Sequence, residues 1–291
     1  MAKQQSMIAV TNATDAQFRE WAQFIHDAMA LAGFAVESTV TGQINLSTVT
    51  RPTTNGAVQG FEVWKTNDGL TTWYIKIEYG GYGASVLPAV WITIGTSFNT
   101  SGTILGNASP QTRVAMASGS ATNTRYPCFA SGRADVDEGN SVNVAMFCDA
   151  TGGYGIIFNI ERAHNAEGAI DADAIMMIVG GVQSGDFSSI YVPRTGGVPP
   201  QTTSSALSTP QVSSNYFYNQ TVAVVLYFAQ KGGLYAFANL LGGYSGAGQF
   251  VTASFGGTIR GTIFGKQRTY IVLTTRPYFG RVGESILMRF E

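Results

Sequence analysis

The segment whose residue types best suit chemistry lies between residues 155 and 181 and reads GIIFNIERAHNAEGAIDADAIMMIVGG. A histidine close to carboxylates can form a catalytic site, a metal site or a solvated loop. We predict that GIIFNIERA and AIMMIVGG are core strands and that HNAEGAIDAD is the loop joining them. Because this insert has one histidine and no nucleophile motif, a wet surface loop or a polar contact to another protein is favoured over catalysis. Its ionisable residues are Glu161, Arg162, His164, Glu167, Asp171 and Asp173.

Motifs for nucleotide binding or nucleophilic catalysis are incomplete in this chain. GTIFGKQ (261–267) is similar to a phosphate loop, but only three residues lie between its glycines and Gln267 stands where Ser or Thr should bind magnesium. Around Ser245 the order is Gly-Tyr-Ser-Gly-Ala, which displaces the closing glycine of a nucleophile elbow. His26 falls in a predicted helix and is interpreted as a helix-surface or interface residue. The sequence therefore predicts no catalytic, cofactor-binding or metal-binding residue.

A second acidic segment, ADVDEGN (134–140), contains Asp135, Asp137 and Glu138. Calcium prefers oxygen ligands at this kind of spacing, but Gly139 comes one position too early for an EF-hand loop and the terminal glutamate is absent. A solvated loop is the favoured interpretation, and a calcium site is the alternative.

The chain has two cysteines, Cys128 and Cys148, which is too few for a disulfide scaffold. Both fall in predicted strands, RYPCFASG and SVNVAMFCDA. We interpret them as buried free thiols. A single disulfide is the alternative if the two strands are neighbours and the assembled particle meets oxidising conditions.

Charge is sparse along the chain. Charged residues make up 12% of the 291 residues and the formal net charge is -1, against about 25% charged residues in an ordinary soluble protein. No strong field is expected to attract nucleic acid or acidic membranes. Charged residues are absent from 79–112, 195–230 and 232–259. Such long neutral stretches favour a surface covered by other subunits, so we predict a homo-oligomer.

Hydropathy argues against membrane insertion. The apolar run TVAVVLYFA (221–229) is far shorter than the about 20 residues that a spanning helix needs. The N-terminus, MAKQQSMIAVTNATDAQ, lacks the apolar core of a signal peptide. The sequence therefore predicts no membrane partner and synthesis in the cytoplasm.

Hydrophobic periodicity predicts one helix followed by many strands. DAQFREWAQFIHDAMALAGF has apolar residues at helical spacing, with Thr14 or Asp15 as its cap and Gly33 at its end. After residue 36, short β-branched and aromatic runs such as GFEVWKTND and TTWYIKIEYGG alternate with turn residues. The predicted fold class is mainly β: an antiparallel, jelly-roll-like β-sandwich with one N-terminal α-helix. LYAFANLL (234–241) is the alternative candidate for a short second helix.

These elements suggest two parts of the chain. Residues 1–36 are predicted to be an N-terminal arm and helix, and residues 37–291 a β-rich domain. This domain has a candidate split near 100–115, where NTSGTILGNASPQ (99–111) has the composition of a linker. A Pro/Ser/Thr-rich arm or loop is predicted at 193–215, and in an assembly protein such an arm can become ordered on a neighbouring subunit.

Several motifs follow one another between about residues 14 and 181. They are a short helix containing a Trp, then GQIN, FEVWK, IKIEYG, VWITIG and NIERAHNAEG. In this order they resemble virion structural proteins of tailed bacteriophages. The resemblance implies a β-rich, non-enzymatic component of a neck, collar, tail or baseplate that is present in multiple symmetric copies. It supplies no catalytic residue.

Three functions are carried forward as expectations. The first is a structural virion protein that self-assembles and contacts other virion proteins. The second is a receptor-binding module that holds host surface glycan through exposed aromatics such as Tyr216, Tyr218 and Tyr244. The third is a polysaccharide hydrolase, which would need a carboxylate pair drawn from Asp135, Asp137, Glu161 and Glu167.

Overall fold

The computed structural model describes this protein as mainly β, with one helix and twenty strands in the described sections. These sections are 2–9, 14–67, 72–106, 108–109, 111–115, 125–132, 142–148, 155–165, 170–180, 188–193, 201–203, 215–218, 221–230, 233–244, 257–263, 266–274 and 284–290. The helix is α1, Asp15–Leu31. The strands are β1 Ala2–Ala9, β2 Ala35–Val36, β3 Val58–Lys65, β4 Tyr74–Tyr82, β5 Leu87–Gly95, β6 Ser97–Phe98, β7 Ile104–Leu105, β8 Thr112–Ala115, β9 Arg125–Gly132, β10 Val142–Cys148, β11 Gly155–Asn165, β12 Ile170–Gly180, β13 Ser188–Pro193, β14 Gln201–Thr203, β15 Asn215–Tyr218, β16 Thr221–Gln230, β17 Gly233–Tyr244, β18 Thr258–Ile263, β19 Lys266–Thr274 and β20 Glu284–Arg289.

Helix α1 forms where the apolar periodicity predicts it. Thr14 is the N-cap, since its extended backbone lets its hydroxyl accept a hydrogen bond from the Gln17 backbone N–H at 3.2 Å. The helix ends at Leu31 and is followed by Gly33, whose φ of 90° lies in the left-handed region that glycine adopts without strain. Across the described residues, no helix has the length and apolar character to cross a membrane. The buried positions of α1 are Phe18, Trp21, Ala22, Phe24, Ile25, Ala28 and Met29.

The first sheet has five antiparallel strands in the order β2-β3-β4-β5-β8. Strand β3 pairs antiparallel with β4 from Val58↔Gly80 to Lys65↔Tyr74. Alternation along β4 buries Ile75, Ile77 and Tyr79 on one face of the sheet, and α1 packs on that face. One cluster of buried side chains thus joins α1 to this sheet and extends to Ala130 of β9.

The second sheet has thirteen strands and branches at two of them. Its main path is β1-β9-β10-β11-β17-β20-β19-β18. Strand β11 pairs with β10, β12 and β17, while β17 also pairs with β16 and β20. Every strand pair between described residues is antiparallel. The prediction of a mainly β chain with antiparallel sheets and one helix is therefore confirmed.

One local prediction is wrong and one alternative is resolved. The segment HNAEGAIDAD is not a loop throughout, because His164 and Asn165 end β11 and residues 170–173 begin β12, while 166–169 lie outside the described sections. LYAFANLL is strand, inside β17, where it pairs with β16 and β20, so the alternative of a short second helix is wrong. The periodicity of such a short apolar run fits either a helix or a strand. Its secondary structure is decided by the strands with which it pairs.

Two predicted connections contain secondary structure. Within 99–111, Ile104 and Leu105 form β7, which pairs with β6, and Ile104 is buried against the first sheet. Within 193–215, Gln201–Thr203 forms β14 and pairs with β13. Residues 194–200 and 204–214 lie outside the described sections.

The two cysteines lie on adjacent strands. Cys128 of β9 and Cys148 of β10 are direct register partners in an antiparallel pair. The first condition attached to the disulfide alternative, that the two strands are neighbours, is therefore met. The α-carbons directly opposite each other in such a pair are about 4.5 to 5.5 Å apart, within the span that a disulfide bridges. Free thiols and a disulfide both remain compatible with this register.

Candidate functional site

Ionisable side chains meet inside the described part of the fold between α1 and the first sheet. Glu62 and Trp64 are two residues apart on β3, so strand alternation places both on the face toward α1. Tyr79 reaches the same face from the neighbouring strand β4. His26 faces them from α1, one residue after the buried Ile25. We call Glu62, Tyr79, Trp64 and His26 the Glu62 cluster.

Glu62 is the hub of this cluster. Its Oε1 accepts from His26 Nδ1 at 2.6 Å, and its Oε2 accepts from the Tyr79 hydroxyl at 2.5 Å and from Trp64 Nε1 at 3.2 Å. The side chain of Glu62 is 5% exposed. Burying a carboxylate without hydrogen-bond partners would lower the stability of the fold by roughly several kcal/mol, because the carboxylate loses its hydration. The three donors to Glu62 offset that loss. The Glu62 cluster is thus a group of hydrogen-bonded polar side chains inside an apolar core.

His26 is the member of the cluster that reaches solvent, with 31% of its side chain exposed. Its ring lies 5.0 Å from the Trp64 ring, at a tilt of 59°. The hydrogen bond to Glu62 raises the pKa of His26 above its ordinary value of 6.5, and the charges of Glu62 and Asp27 act in the same direction against the opposing effect of burial. Protonated His26 is therefore favoured in the folded protein, where it ties α1 to β3.

Tyr79 is held in its neutral form. Complete burial raises its pKa well above the ordinary 10.0, and the charge of Glu62 and the hydrogen bond to it raise the pKa further. The hydroxyl consequently acts as a hydrogen-bond donor, in keeping with its contact to Glu62 Oε2. The ring of Tyr79 also meets Trp21 of α1 edge-on, with ring centroids 6.0 Å apart. Tyr79 thereby links the polar cluster to the apolar core.

A histidine oriented by a carboxylate can act as a general base when a nucleophile lies within hydrogen-bond reach. In the described sections, the hydrogen bond that His26 makes is to Glu62, and no hydroxyl or thiol is bonded to it. The other two groups on Glu62 are donors committed to the carboxylate. The geometry therefore suits a structural role, in which these hydrogen bonds hold α1 against the sheet.

A second polar arrangement anchors the loop that carries GQIN to the first sheet. Gln43 Nε2 donates to the Glu37 carbonyl at 2.9 Å, while Gln43 Oε1 accepts from the Val63 backbone N–H at 2.8 Å. Lys65 Nζ lies 3.0 Å from Glu37 Oε2. Ile44 lies directly over Gly60, where a β-carbon would come within 2.8 Å of the isoleucine side chain. The motif GQIN is therefore bound along β3.

Apart from His26, the candidate residues singled out by sequence lie in the second sheet or outside the described sections. Arg162 of β11 is the direct register partner of Asp173 of β12, and His164 pairs with Ile170 on β12 and with Ala236 on β17. Among the described residues, no group of three or more His, Cys, Asp or Glu is placed to hold a metal ion. Those outside the described sections are Asp135, Asp137, Glu138, Glu167 and Ser245.

The tyrosines proposed for glycan binding do not share one row of the sheet. Tyr216 pairs with Ala223 and Tyr218 with Thr221, both between β15 and β16. Tyr244 pairs instead with Val222, whose other partner is Phe217. The register therefore places Tyr244 in the row of Phe217, between the rows of the other two tyrosines.

Sequence reasoning missed Glu62 and Tyr79 and gave His26 only a surface or interface role. A signal was present in FEVWK, because Glu62 and Trp64 at i and i+2 share one face of a strand. An acid on the same face as a tryptophan indicates a buried carboxylate that needs donors. The identity of those donors depends on which strand and helix lie opposite, which no local pattern contains.

Comparison with protein-family models, with curated protein sequences and with solved structures gives no match to this chain. Functional inference therefore starts from the residues and from their geometry.

Proposed function

We propose that this protein is a non-enzymatic structural component of a tailed-phage virion, acting in the collar, neck, tail or baseplate by symmetric self-assembly and by contacts with other virion proteins. The observation that carries the proposal is the use made of the motifs that resemble such proteins. GQIN, FEVWK, IKIEYG and VWITIG all belong to one scaffold, in which the loop of GQIN is bound to β3 and β4 pairs with both β3 and β5. Motifs that form a rigid scaffold in this way are what a structural protein of an assembly needs.

The Glu62 cluster supports the same proposal. Its carboxylate, imidazole, phenol and indole groups bond to each other across the helix–sheet contact. Groups that satisfy each other in this way stabilise and orient a fold, whereas a catalytic group must be presented to a substrate. The low charged content of 12% adds to this, since neutral surface is favoured where subunits cover each other.

We also propose that the second sheet folds into an antiparallel, jelly-roll-like sandwich. Support comes from the branching at β11 and β17, each of which has three partner strands. A strand can pair along two edges only, so a third partner means that different partners take different parts of its length, and the sheet can then divide into two layers. An experimental density map of the assembled protein would test this, and a single flat layer would contradict it.

The function is tested on the purified full-length chain and on phage particles. Native mass spectrometry is expected to give a closed homo-oligomer, and peptide mass spectrometry of purified virions is expected to find the chain at a fixed copy number. A strictly monomeric protein that is absent from particles would refute the proposal. Binding of a monomer to a bacterial polysaccharide array would instead favour the receptor-binding alternative.

A further inference from the structure

The two cysteines of the chain stand directly opposite each other in the second sheet. The sequence contains Cys128 and Cys148 and no other cysteine. They lie on β9 and β10, and each is the register partner of the other in an antiparallel pair. Residues directly opposite in such a pair share a face of the sheet. The fold therefore brings together two thiols that are 20 positions apart in the sequence.

The spacing of the two backbones fits a covalent bond between the two residues. Antiparallel pairs are of two types, hydrogen-bonded and non-hydrogen-bonded, with α-carbons about 5.5 and about 4.5 Å apart. Disulfides connect α-carbons that are about 4.4 to 6.8 Å apart, so both types of pair fall within this range. No movement of the backbone is therefore needed to bridge Cys128 and Cys148.

The cysteine pair lies at a short junction within the second sheet. Strand β9 pairs with β1 along its whole length, from Arg125 to Gly132. On its other side, among the described residues, β9 pairs with β10 only at Phe129 and Cys128. Ala130 of β9 belongs to the buried cluster of α1 and the first sheet, whereas β10 pairs onward with β11. A bond between the cysteines would therefore join the part of the fold that contains α1 to the remaining strands of the second sheet.

We propose that Cys128 and Cys148 form an intrachain disulfide that locks β9 to β10, and that a small-molecule disulfide such as oxidised glutathione is the oxidant. One cysteine thiolate attacks the glutathione disulfide, forms a mixed disulfide and releases one glutathione thiolate. The other cysteine thiolate attacks the cysteine sulfur of the mixed disulfide and releases the second glutathione. The two cysteines lose two electrons and two protons in total, and the glutathione disulfide takes them up to become two thiols.

This disulfide goes beyond the proposed function, because it forms within one chain and does not depend on assembly. Thiol–disulfide exchange is reversible, so an excess of a reducing thiol opens the bond again. The junction between β9 and β10 is thus covalently locked in an oxidising medium and held by strand pairing alone in a reducing one.

Mass spectrometry of the full-length chain tests the bond. The purified protein is incubated with oxidised glutathione, its remaining thiols are blocked with N-ethylmaleimide, and it is analysed intact and as peptides without reduction. The wild type is expected to be lighter than the reduced chain by two hydrogen atoms, to bind no maleimide and to give one linked peptide pair that contains both cysteines. Cys128→Ser and Cys148→Ser are the matched controls, since each leaves a single thiol that is expected to bind one maleimide or one glutathione.

Thermal unfolding tests the lock. A disulfide that closes a loop of about 20 residues restricts the unfolded chain. The oxidised wild type is therefore expected to unfold about 5 to 10 °C higher than the same protein kept reduced. The unfolding temperature of either serine variant is expected to be the same under oxidising and reducing conditions.

Several outcomes would overturn the proposal. Two maleimides or two glutathiones on the oxidised wild type would show that the two sulfur atoms do not bond to each other, and a disulfide between two chains would contradict an intrachain bond. A disulfide that leaves the unfolding temperature unchanged would refute the lock. Should the serine variants not fold, the oxidised and reduced forms of the wild type decide the question by themselves. The result is independent of the oligomeric state, so the failure of this inference and the failure of the proposed function are distinguishable.

Discussion

At the scale of single residues, Glu62 matters most because it concentrates three hydrogen bonds on one buried carboxylate. Its neighbours on the strand are apolar or aromatic, and burial would be costly if any partner were lost. The Glu62 cluster therefore makes the contact between α1 and β3 specific. If the helix were shifted along the sheet, the Glu62 carboxylate would lose its hydrogen bond to the His26 imidazole.

Replacing Glu62 by Gln should destabilise the protein by about 2 kcal/mol, because the amide loses the charge that binds His26 and can no longer accept from three donors. Urea unfolding at neutral pH, followed by circular dichroism, measures this. Gln23→Ala changes an exposed side chain of the same helix and should stay within about 0.5 kcal/mol of the wild type. Equal effects of the two substitutions would contradict the role assigned to Glu62.

The raised pKa of His26 gives a pH dependence of defined sign. Since the folded state binds the proton more tightly than the unfolded chain, this contribution to stability is complete below pH 6.5 and is lost as the pH rises through the higher folded-state pKa. The free energy of unfolding of the wild type should thus fall more between pH 6 and pH 9 than that of His26→Gln. Because the two proteins share every other titratable group, identical pH profiles would show that His26 contributes nothing.

At the scale of elements, the start of α1 is fixed by local chemistry and its position by tertiary contacts. Thr14 caps the first turn, and Asp15 Oδ1 accepts from the Arg51 backbone N–H at 3.0 Å. Arg19 in the next turn donates to the Val49 carbonyl at 3.1 Å. The first two turns of the helix are therefore tied to the segment that leads into β3.

Removal of the cap tests the local part of this arrangement. Thr14→Ala should cost about 1 kcal/mol, because the Gln17 N–H loses its acceptor. Thr14→Ser keeps the hydroxyl and should change stability by only a few tenths of a kcal/mol, roughly. Thermal unfolding of both variants at one protein concentration compares their stabilities. A serine variant as unstable as the alanine variant would show that the hydroxyl of Thr14 does not stabilise the helix.

At the scale of the whole molecule, stability depends on the apolar contact between α1 and the first sheet. Trp21 is 1% exposed and packs against Phe18 and Tyr79, with ring centroids 5.5 and 6.0 Å away. The same buried cluster reaches Ala130 of β9, so α1 connects this sheet to a strand of the second sheet. Loss of the helix contact should accordingly affect both sheets.

Trp21→Ala should destabilise the protein by about 3 to 5 kcal/mol, since a large cavity would open at the centre of this contact. That is a large fraction of the about 5 to 15 kcal/mol that a typical domain has. Leu105→Ala, at a side chain 45% exposed, is the control and should cost below about 1 kcal/mol. Denaturant unfolding midpoints measure the stability of both variants. Similar midpoints for the two would show that the contact of α1 with the first sheet is not the main core of the protein.

The sequence by itself determined the elements. The apolar stripe of α1, its Thr14 cap and the glycine after it are local features, and so is the alternation that marks β3, β4 and β5. Where local features were weak, strands were missed: β1 has the polar run Gln-Gln-Ser at its centre, and β20 begins with Glu284. Such strands are defined by the neighbours with which they pair rather than by their own pattern.

Only the tertiary structure decided which residues meet. Glu78 and Arg113 border a stretch without charges in the sequence, yet strand register returns both to Trp91. Glu62 and His26 are 36 residues apart, and their contact depends on how α1 lies across β3. The physical reason is the range of the interactions. Backbone periodicity is set by neighbours a few residues away, whereas register and helix placement minimise the free energy of contacts between distant segments.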